Sequence, residues 1–306
     1  MLSPLRAFAL VLAAAGFFAT SASGQAWVGF PGSLSTSFDY TWNFSDKFIE
    51  EFAHRADEPD GETTRSHVFV LGGEYVPIRN LGISARIPIV APRYTGRQLV
   101  FPAHGRYDDG SRHYVLQDFG LTTRYQVLAD PIAITPHIGV SIPMTDYETM
   151  GWAAAGRGLK RVELGASVGK FFTSGVPGLY LHGRYGFRLS ERYRTEWEET
   201  ADFNQNSTLV NFMAGYFLLD DLNIHVAADL ELSHGGFEVS QWNDYTRGEQ
   251  LYHDPLLAED YLLLGMGASY NIRHDLRVNA MFRIWSWGNN TRNASLLGVG
   301  VGWDIL

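Results

Sequence analysis

From residue 33 to the end of the chain, apolar and polar residues alternate in short segments. Residues 34–44 show the pattern best. Leu34, Phe38, Tyr40, Trp42 and Phe44 hold one parity, and Ser35, Ser37, Asp39, Thr41 and Asn43 hold the other. Side chains of a β-strand point to opposite faces with period 2, so this segment is a strand with one apolar and one hydrophilic face. Twelve such segments can be read: 33–44, 66–76, 81–90, 113–128, 132–142, 160–171, 178–188, 206–218, 222–232, 260–271, 276–285 and 294–305. Their connections alternate in length. Residues 77–80, 129–131, 173–177, 219–221 and 272–275 read as tight turns. Longer loops lie between them, at 45–65, 91–112, 143–159, 189–205, 233–259 and 286–293. Short turns on one side and long loops on the other are typical of outer-membrane barrels. The predicted fold class is therefore all-β: a transmembrane antiparallel up-and-down β-barrel of about twelve strands. An even strand number puts both ends of the sheet on the short-turn side.

Charge sharpens the assignment. One parity carries Phe69, Leu71 and Tyr75 in the second segment, and Ile134, Ile138, Val140 and Ile142 in the fifth. In the ninth it runs from Leu222 to Leu232 in steps of two. Only Lys160, Lys170 and Asp260 share that parity, and all three lie at segment ends. A cation facing hydrocarbon at mid-depth costs roughly 2–4 kcal/mol, which explains a face empty of charge. The other parity carries the acids Asp39, Glu74, Asp118, Glu163, Asp229, Glu231 and Asp304. It also carries the bases Arg86, Arg124, Arg161, Arg184, Arg188, Arg277 and Arg283. A barrel would enclose these residues in its lumen, whereas a soluble sandwich would place them on a solvated outer surface. Outward Tyr75, Tyr125, Tyr216, Tyr270 and Trp303 fall near the short-turn ends, as an interfacial aromatic girdle would.

The N-terminus has the layout of an export signal. Arg6 supplies a positive start, residues 7–20 are apolar, and residues 21–26 are small and polar. The expected cut follows Gly24, with Ala26 as second choice. This gives a signal peptide at 1–24 and a barrel at 25–306. The apolar run is shorter than the about 20 residues that a spanning helix requires. The chain has no cysteine, so disulfides and thiolate metal sites are excluded. A net charge of −9 without a long basic run argues against nucleic acid as a partner. Aromatic residues at 14 % and 32 glycines suit a barrel wall.

Residues 117–128 read QDFGLTTRYQVL, followed by ADPIAITPHIGVSIPMTDYE and, from 156, GRGLKRVELGASVGKFF. This stretch resembles the bacterial outer-membrane family named for the MetA pathway of phenol degradation, whose members are described as transporters. Asp118, Leu121, Arg124 and Tyr125 match that family's G-D-x-x-L-x-x-K/R-Y strand. Residues 141–146 stand where the family has Pro-Thr-Gly. GGEYVPIRNLGISARIPIV also looks like its strand-turn-strand. The likeness covers about residues 70–170 and describes architecture rather than chemistry. It implies a barrel that passes small hydrophobic or aromatic solutes. The C-terminus departs from the usual assembly signal ending in Phe or Trp, since this chain closes on Trp303, Asp304, Ile305 and Leu306.

Inward His137, His182 and His225, with inward Ser141 and Ser167, are the candidates for a metal site or a nucleophile. No nucleophile motif surrounds either serine, so a polar lumenal network is the expected role. No catalytic residue, cofactor or metal is implied. Asp57, Glu58, Asp60 and Glu62, and Glu238, Asp244, Glu249, His253 and Asp254, lack EF-hand spacing and read as acidic loops. Residues 47–53 suggest a turn or two of amphipathic helix or a solvated loop. Residues 151–158 suggest a flexible outer loop rather than a phosphate-binding one. Lumen-lining residues are expected to be Asp39, Glu74, Arg86, Asp118, Arg124, His137, Glu163, His182, Arg184, His225, Asp229, Glu231, Arg277 and Arg283. Expected partners are outer-membrane lipid, the barrel-assembly machinery and a small solute. The alternatives are a barrel enzyme acting on lipid or lipopolysaccharide, and a structural or adhesive barrel binding through its long loops.

Overall fold

The alternating segments form a closed antiparallel wall. The structure, a computed structural model, describes residues 26–51, 54–56, 63–96, 106–193 and 204–305. The wall strands are β1 (Leu34–Ser45), β2 (Thr63–Ile78), β3 (Leu81–Thr95), β4 (Asp118–Tyr125), β5 (Ala133–Pro143) and β6 (Arg161–Phe171). They continue with β7 (Leu179–Ser190), β8 (Asn206–Phe217), β9 (Leu222–His234), β10 (Asp260–Arg273), β11 (Leu276–Asn289) and β12 (Ser295–Asp304). Each strand pairs with its neighbours in the chain. The ring closes where β1 meets β12, from Ser35 opposite Asp304 to Phe44 opposite Ser295. Closure leaves no free sheet edge, which is how a β-structure satisfies its backbone inside a bilayer. The export signal expected at 1–24 lies outside the described residues.

The parity read from the sequence separates the two faces. Leu71, Val226, Met266 and Phe282 are exposed on the outer face. Thr41, Thr135, Ser167 and Arg283 are buried on the inner one. Tyr75, Tyr125, Tyr216, Tyr270 and Trp303 are exposed close to the short turns. Several strands run further into the loop side than expected: β2 begins at Thr63, β3 reaches Thr95 and β11 reaches Asn289. Alternation fades in these extensions because, above the apolar band, neither face has to meet hydrocarbon.

Two expectations on local structure change. The fourth segment is shorter than 113–128. A two-residue strand, Val115–Leu116, pairs with β3 one step out of register with β4, and Gln117 marks the break. Pro88 and Pro92 on β3 have no N–H to donate, and their carbonyls accept from Gln117 N and His113 N. Residues 47–53 are not helical where described. Phe48–Glu51 is a strand between Thr291–Arg292 and His54–Ala56. Asn293 Oδ1 accepts from Ser45 Oγ at 3.0 Å and from Lys47 N at 2.9 Å, which turns the chain into that strand.

Loops pack over one end of the barrel. Phe48, Phe237, Leu256 and Leu257 form a buried cluster, with Trp152, Tyr245 and Tyr252 against it. The β9–β10 loop contributes a 3-10 turn at Val239–Asp244 and the short helices α1 (Arg247–Leu251) and α2 (His253–Leu256). Thr246 and Glu249 make a reciprocal capping box at α1. Residues 151–158 form a loop packed against the cap. Ala153 and Ala155 are buried, and Asp108 accepts from Trp152 N at 2.9 Å and Ala153 N at 2.7 Å. The acids of the β9–β10 loop serve the cap in the same way. Glu238 accepts from Asn289 and Asn290, and Asp254 accepts from Gly151 N at 2.7 Å. Residues 57–62, the other acidic run, lie outside the described residues.

Candidate functional site

The inner face is a charged wall around a cavity of about 780 Å³. The cavity runs from Gln117, Gly156 and Glu259 at the loop end to Trp27, Phe171 and Asn271 at the turn end. Glu74, Arg86, Asp118, Arg124, His137, Glu163, His182, Arg184, His225, Asp229, Glu231, Arg277 and Arg283 all line it. Asp39 does not. It is buried in the wall, hydrogen-bonded by Ser37 and Asn279 and seated over Gly300.

Most of these charges are tied to one another across strands. Arg124 Nη2 donates to both oxygens of Glu74, at 2.6 and 2.7 Å. Glu163 accepts from Arg184, with His137 Nε2 at 3.0 Å and Arg188 at 3.6 Å. Arg188 also reaches Glu231 at 3.2 Å, and Tyr261 donates its hydroxyl to Glu231 at 2.9 Å. Arg283 Nε donates to Asp229 at 3.0 Å, and Asn211 Nδ2 donates to the same carboxylate at 2.8 Å. Such pairing offsets the cost of holding charge inside a narrow lumen, where a lone ion is strongly disfavoured. At the loop-side mouth, Arg157 pairs with Glu259 at 2.5 Å and donates to Gln205 at 3.2 Å. Tyr147 donates its hydroxyl to Asp118. Burial and the adjacent Asp118 carboxylate hold that phenol above its ordinary pKa, so it stays a donor.

The three histidines do not converge. His137 is engaged by Glu163, while His225 Nδ1 lies 3.4 Å from Asn223 Oδ1. His182 is buried on β7, with its Nε2 making no hydrogen bond. Among the described residues, no group of three or more His, Asp or Glu side chains is placed to hold a metal ion. Ser167 is buried, and neither it nor Ser141 has a hydrogen bond to a histidine among the described residues.

Several lumenal residues escape the charge pattern. Val68, Val70 and Val90 form an apolar patch on the inner wall. Their position follows from Glu74, whose parity on β2 carries Gly72, Val70 and Val68 inside with it. Arg157 sits in a loop, where alternation gives no signal. Trp27 precedes the first strand and enters the turn end of the lumen. A Cβ at Gly169 would lie 2.5 Å from its ring, so the glycine makes the seat. Ala26 O accepts from Thr135 Oγ1 at 2.6 Å, and Gly32 N donates to Val76 O at 2.7 Å. This holds the segment preceding β1 against the inner wall.

A closed antiparallel barrel with an apolar exterior band, an aromatic girdle and an ion-paired interior defines the outer-membrane β-barrel class of fold. Within that class, the chain is similar to the COG4313 outer membrane channel from Pseudomonas putida F1. The TM-score is 0.69 at 10 % identity, covering 92 % of this chain and 98 % of that one. It is also similar to the beta domain of the Bordetella autotransporter BrkA. Here the TM-score is 0.50 at 8 % identity, covering 90 % and 100 % of the two chains. At these identities the likeness is one of fold. No protein-family model matches the sequence, and no curated protein matches it.

Proposed function

We propose that the protein is an outer-membrane channel through which small solutes diffuse. The observation that carries this reading is the lumenal cavity of about 780 Å³, lined by polar side chains from the loop end to the turn end. The apolar outer face supports placement in the outer membrane, with lipid against the wall and the barrel-assembly machinery as its insertion partner. Residues 1–24 would act as the export signal. A passive conduit is favoured over a lipid-directed enzyme because the lumenal histidines do not converge and face away from lipid. The finer reading is that the chain is a relative of the MetA-pathway family and takes hydrophobic or aromatic solutes. It is supported by the strand motif around Asp118 and by the aromatic residues Tyr94, Tyr107, Tyr147 and Trp152 toward the loop-side mouth. Purified protein in planar bilayers should give discrete conductance steps that aromatic solutes reduce. Absence of any conductance would remove the channel while leaving the barrel.

A further inference from the structure

We infer that Arg86 and Arg161, with the Ser141 hydroxyl between them, form a binding site for a small organic carboxylate in the loop-side half of the lumen. The inference deepens the channel reading by naming a solute class. It begins with the strand register. Arg86 on β3 pairs with Gly120 on β4, Gly120 with Ser141 on β5, and Ser141 with Arg161 on β6. The four residues make one row across the wall, inward-facing, with arginines at its ends and two small residues between. Three inter-strand steps span about 14 Å. Arg86 leans into that gap, since a Cβ on Gly120 would lie 2.5 Å from its Nε and 2.8 Å from its Cγ. Its guanidinium therefore lies across β4, toward Ser141. All four residues line the cavity.

These two arginines, like Arg277 on β11, differ from most of the lumenal set. Arg124, Arg184, Arg188 and Arg283 each have a carboxylate within salt-bridge distance. Among the described residues, none lies that close to Arg86 or Arg161, and Arg161 Nε is buried with no hydrogen-bond partner. The acids in electrostatic reach are Asp118 and Glu163 for Arg86, and Asp118 and Glu231 for Arg161. Each is already engaged: Asp118 by Tyr147, Glu163 by Arg184 and His137, and Glu231 by Arg188 and Tyr261. Arg157, Arg184 and Arg188 add further positive charge around the row. Two guanidinium groups facing confined space, with donors unspent, suit an oxyanion bound through paired N–H groups. The same acids would repel a second negative charge, which favours a monoanionic carboxylate over dianionic phosphate. Gly120 makes room for the Arg86 side chain to lie across the gap, and Pro88 gives an apolar flank for the organic part.

The test uses the folded full-length protein in detergent and isothermal titration. The probes are benzoate, its neutral analogue benzyl alcohol, and inorganic phosphate. Benzoate is expected to bind, benzyl alcohol and phosphate to bind at least about tenfold more weakly, and Arg86→Gln or Arg161→Gln to weaken benzoate about tenfold. Arg79→Gln, in an exposed turn, should change nothing. If a glutamine variant fails to give the folded band on an unboiled gel, Arg86→Lys and Arg161→Lys take its place. These keep the charge, lose the paired N–H geometry and should bind severalfold more weakly. Equal benzoate binding by wild type and all folded variants overturns the site, as does equal binding of benzyl alcohol. Phosphate binding in place of benzoate overturns the carboxylate assignment. Conductance without benzoate binding would remove the site and leave the channel, whereas benzoate binding without conductance would do the reverse.

Discussion

Cutting the Arg283–Asp229 pair tests whether the lumen behaves as a protein interior or as a water-filled tube. Arg283 is 1 % exposed, and its Nε donates to Asp229 at 3.0 Å. Asp229 is held on its other side by Asn211 at 2.8 Å. In a dry interior, removing one member of such a pair costs about 3–5 kcal/mol, mostly from the charge left behind. The adjacent cavity admits water, and Asn211 still serves Asp229, so the lower end is expected: about 3 kcal/mol for Arg283→Met. Asp229→Asn leaves the guanidinium buried and should cost about the same. With both changes no orphaned charge remains, and the double variant should lose about 2–3 kcal/mol rather than about 6. The assay is urea unfolding in lipid vesicles, followed by the difference between folded and boiled mobility, in a double-mutant cycle. Strict additivity would refute the reasoning, because it would mean that each charge is solvated independently of the other. Single losses below about 0.5 kcal/mol would show the lumen to be as forgiving as an exposed surface.

Other consequences are simpler to read. Val226→Arg places a cation on the exposed outer wall and should cost roughly 2–4 kcal/mol, whereas Ser269→Arg on the inner wall should cost under about 1 kcal/mol; folding yield into bilayers measures both, and equal damage would reverse the inside–outside assignment. Asp108→Ala removes the acceptor of two N–H groups in the packed loop at 151–158, worth about 1–3 kcal/mol locally, so limited proteolysis there should accelerate while the barrel's gel mobility stays unchanged. In the β3–β4 loop, hydrogen bonds from the Ser111 hydroxyl and amide and from His113 hold the Asp109 carboxyl down at about 2. A depressed acid contributes order above its ordinary titration and loses it as pH falls through the folded value. The Ser111 amide should therefore stay protected from exchange down to about pH 3 and open toward pH 2; opening near pH 4 would contradict the contact.

Much of the wall was legible because lipid imposes a rule that acts on single residues. Val226 and Met266 face outward and Asp229 faces inward because a misplaced charge or apolar group carries its cost alone, without waiting for a partner. The cap obeys no such rule. By its own periodicity the stretch 47–53, which contains Phe48–Glu51, suggests a turn or two of helix or a solvated loop. Phe48–Glu51 becomes a strand because Thr291–Arg292, more than two hundred residues later, offers it hydrogen bonds, and Asn293 fixes its entry. The packed loop at 151–158 likewise depends on Asp108 and Asp254, which lie far from it in sequence. The inward parity of the charged wall residues was legible, but their pairing was not. Arg124 finds Glu74 across β3, and Arg188 finds Glu231 across β8. Those choices follow from the register and stagger of the closed ring, which alternation within one strand does not contain.

Glycine accounts for how so charged an interior still leaves a bore. A ring of twelve strands encloses little space once long side chains point at its axis. Here several of them lie along the wall instead, over a neighbouring glycine. Arg86 covers Gly120, His225 covers Gly267 and Arg283 covers Gly265. A Cβ at Gly265 would collide with the backbone oxygen of Phe282, so backbone itself blocks any larger residue there. At Gly120 the obstructing atoms belong to the Arg86 side chain, which can move. The first glycine is therefore a condition for the strands to meet. The second decides only whether a guanidinium rests on the wall or swings into the passage, which makes the width of the bore adjustable at little cost to the fold.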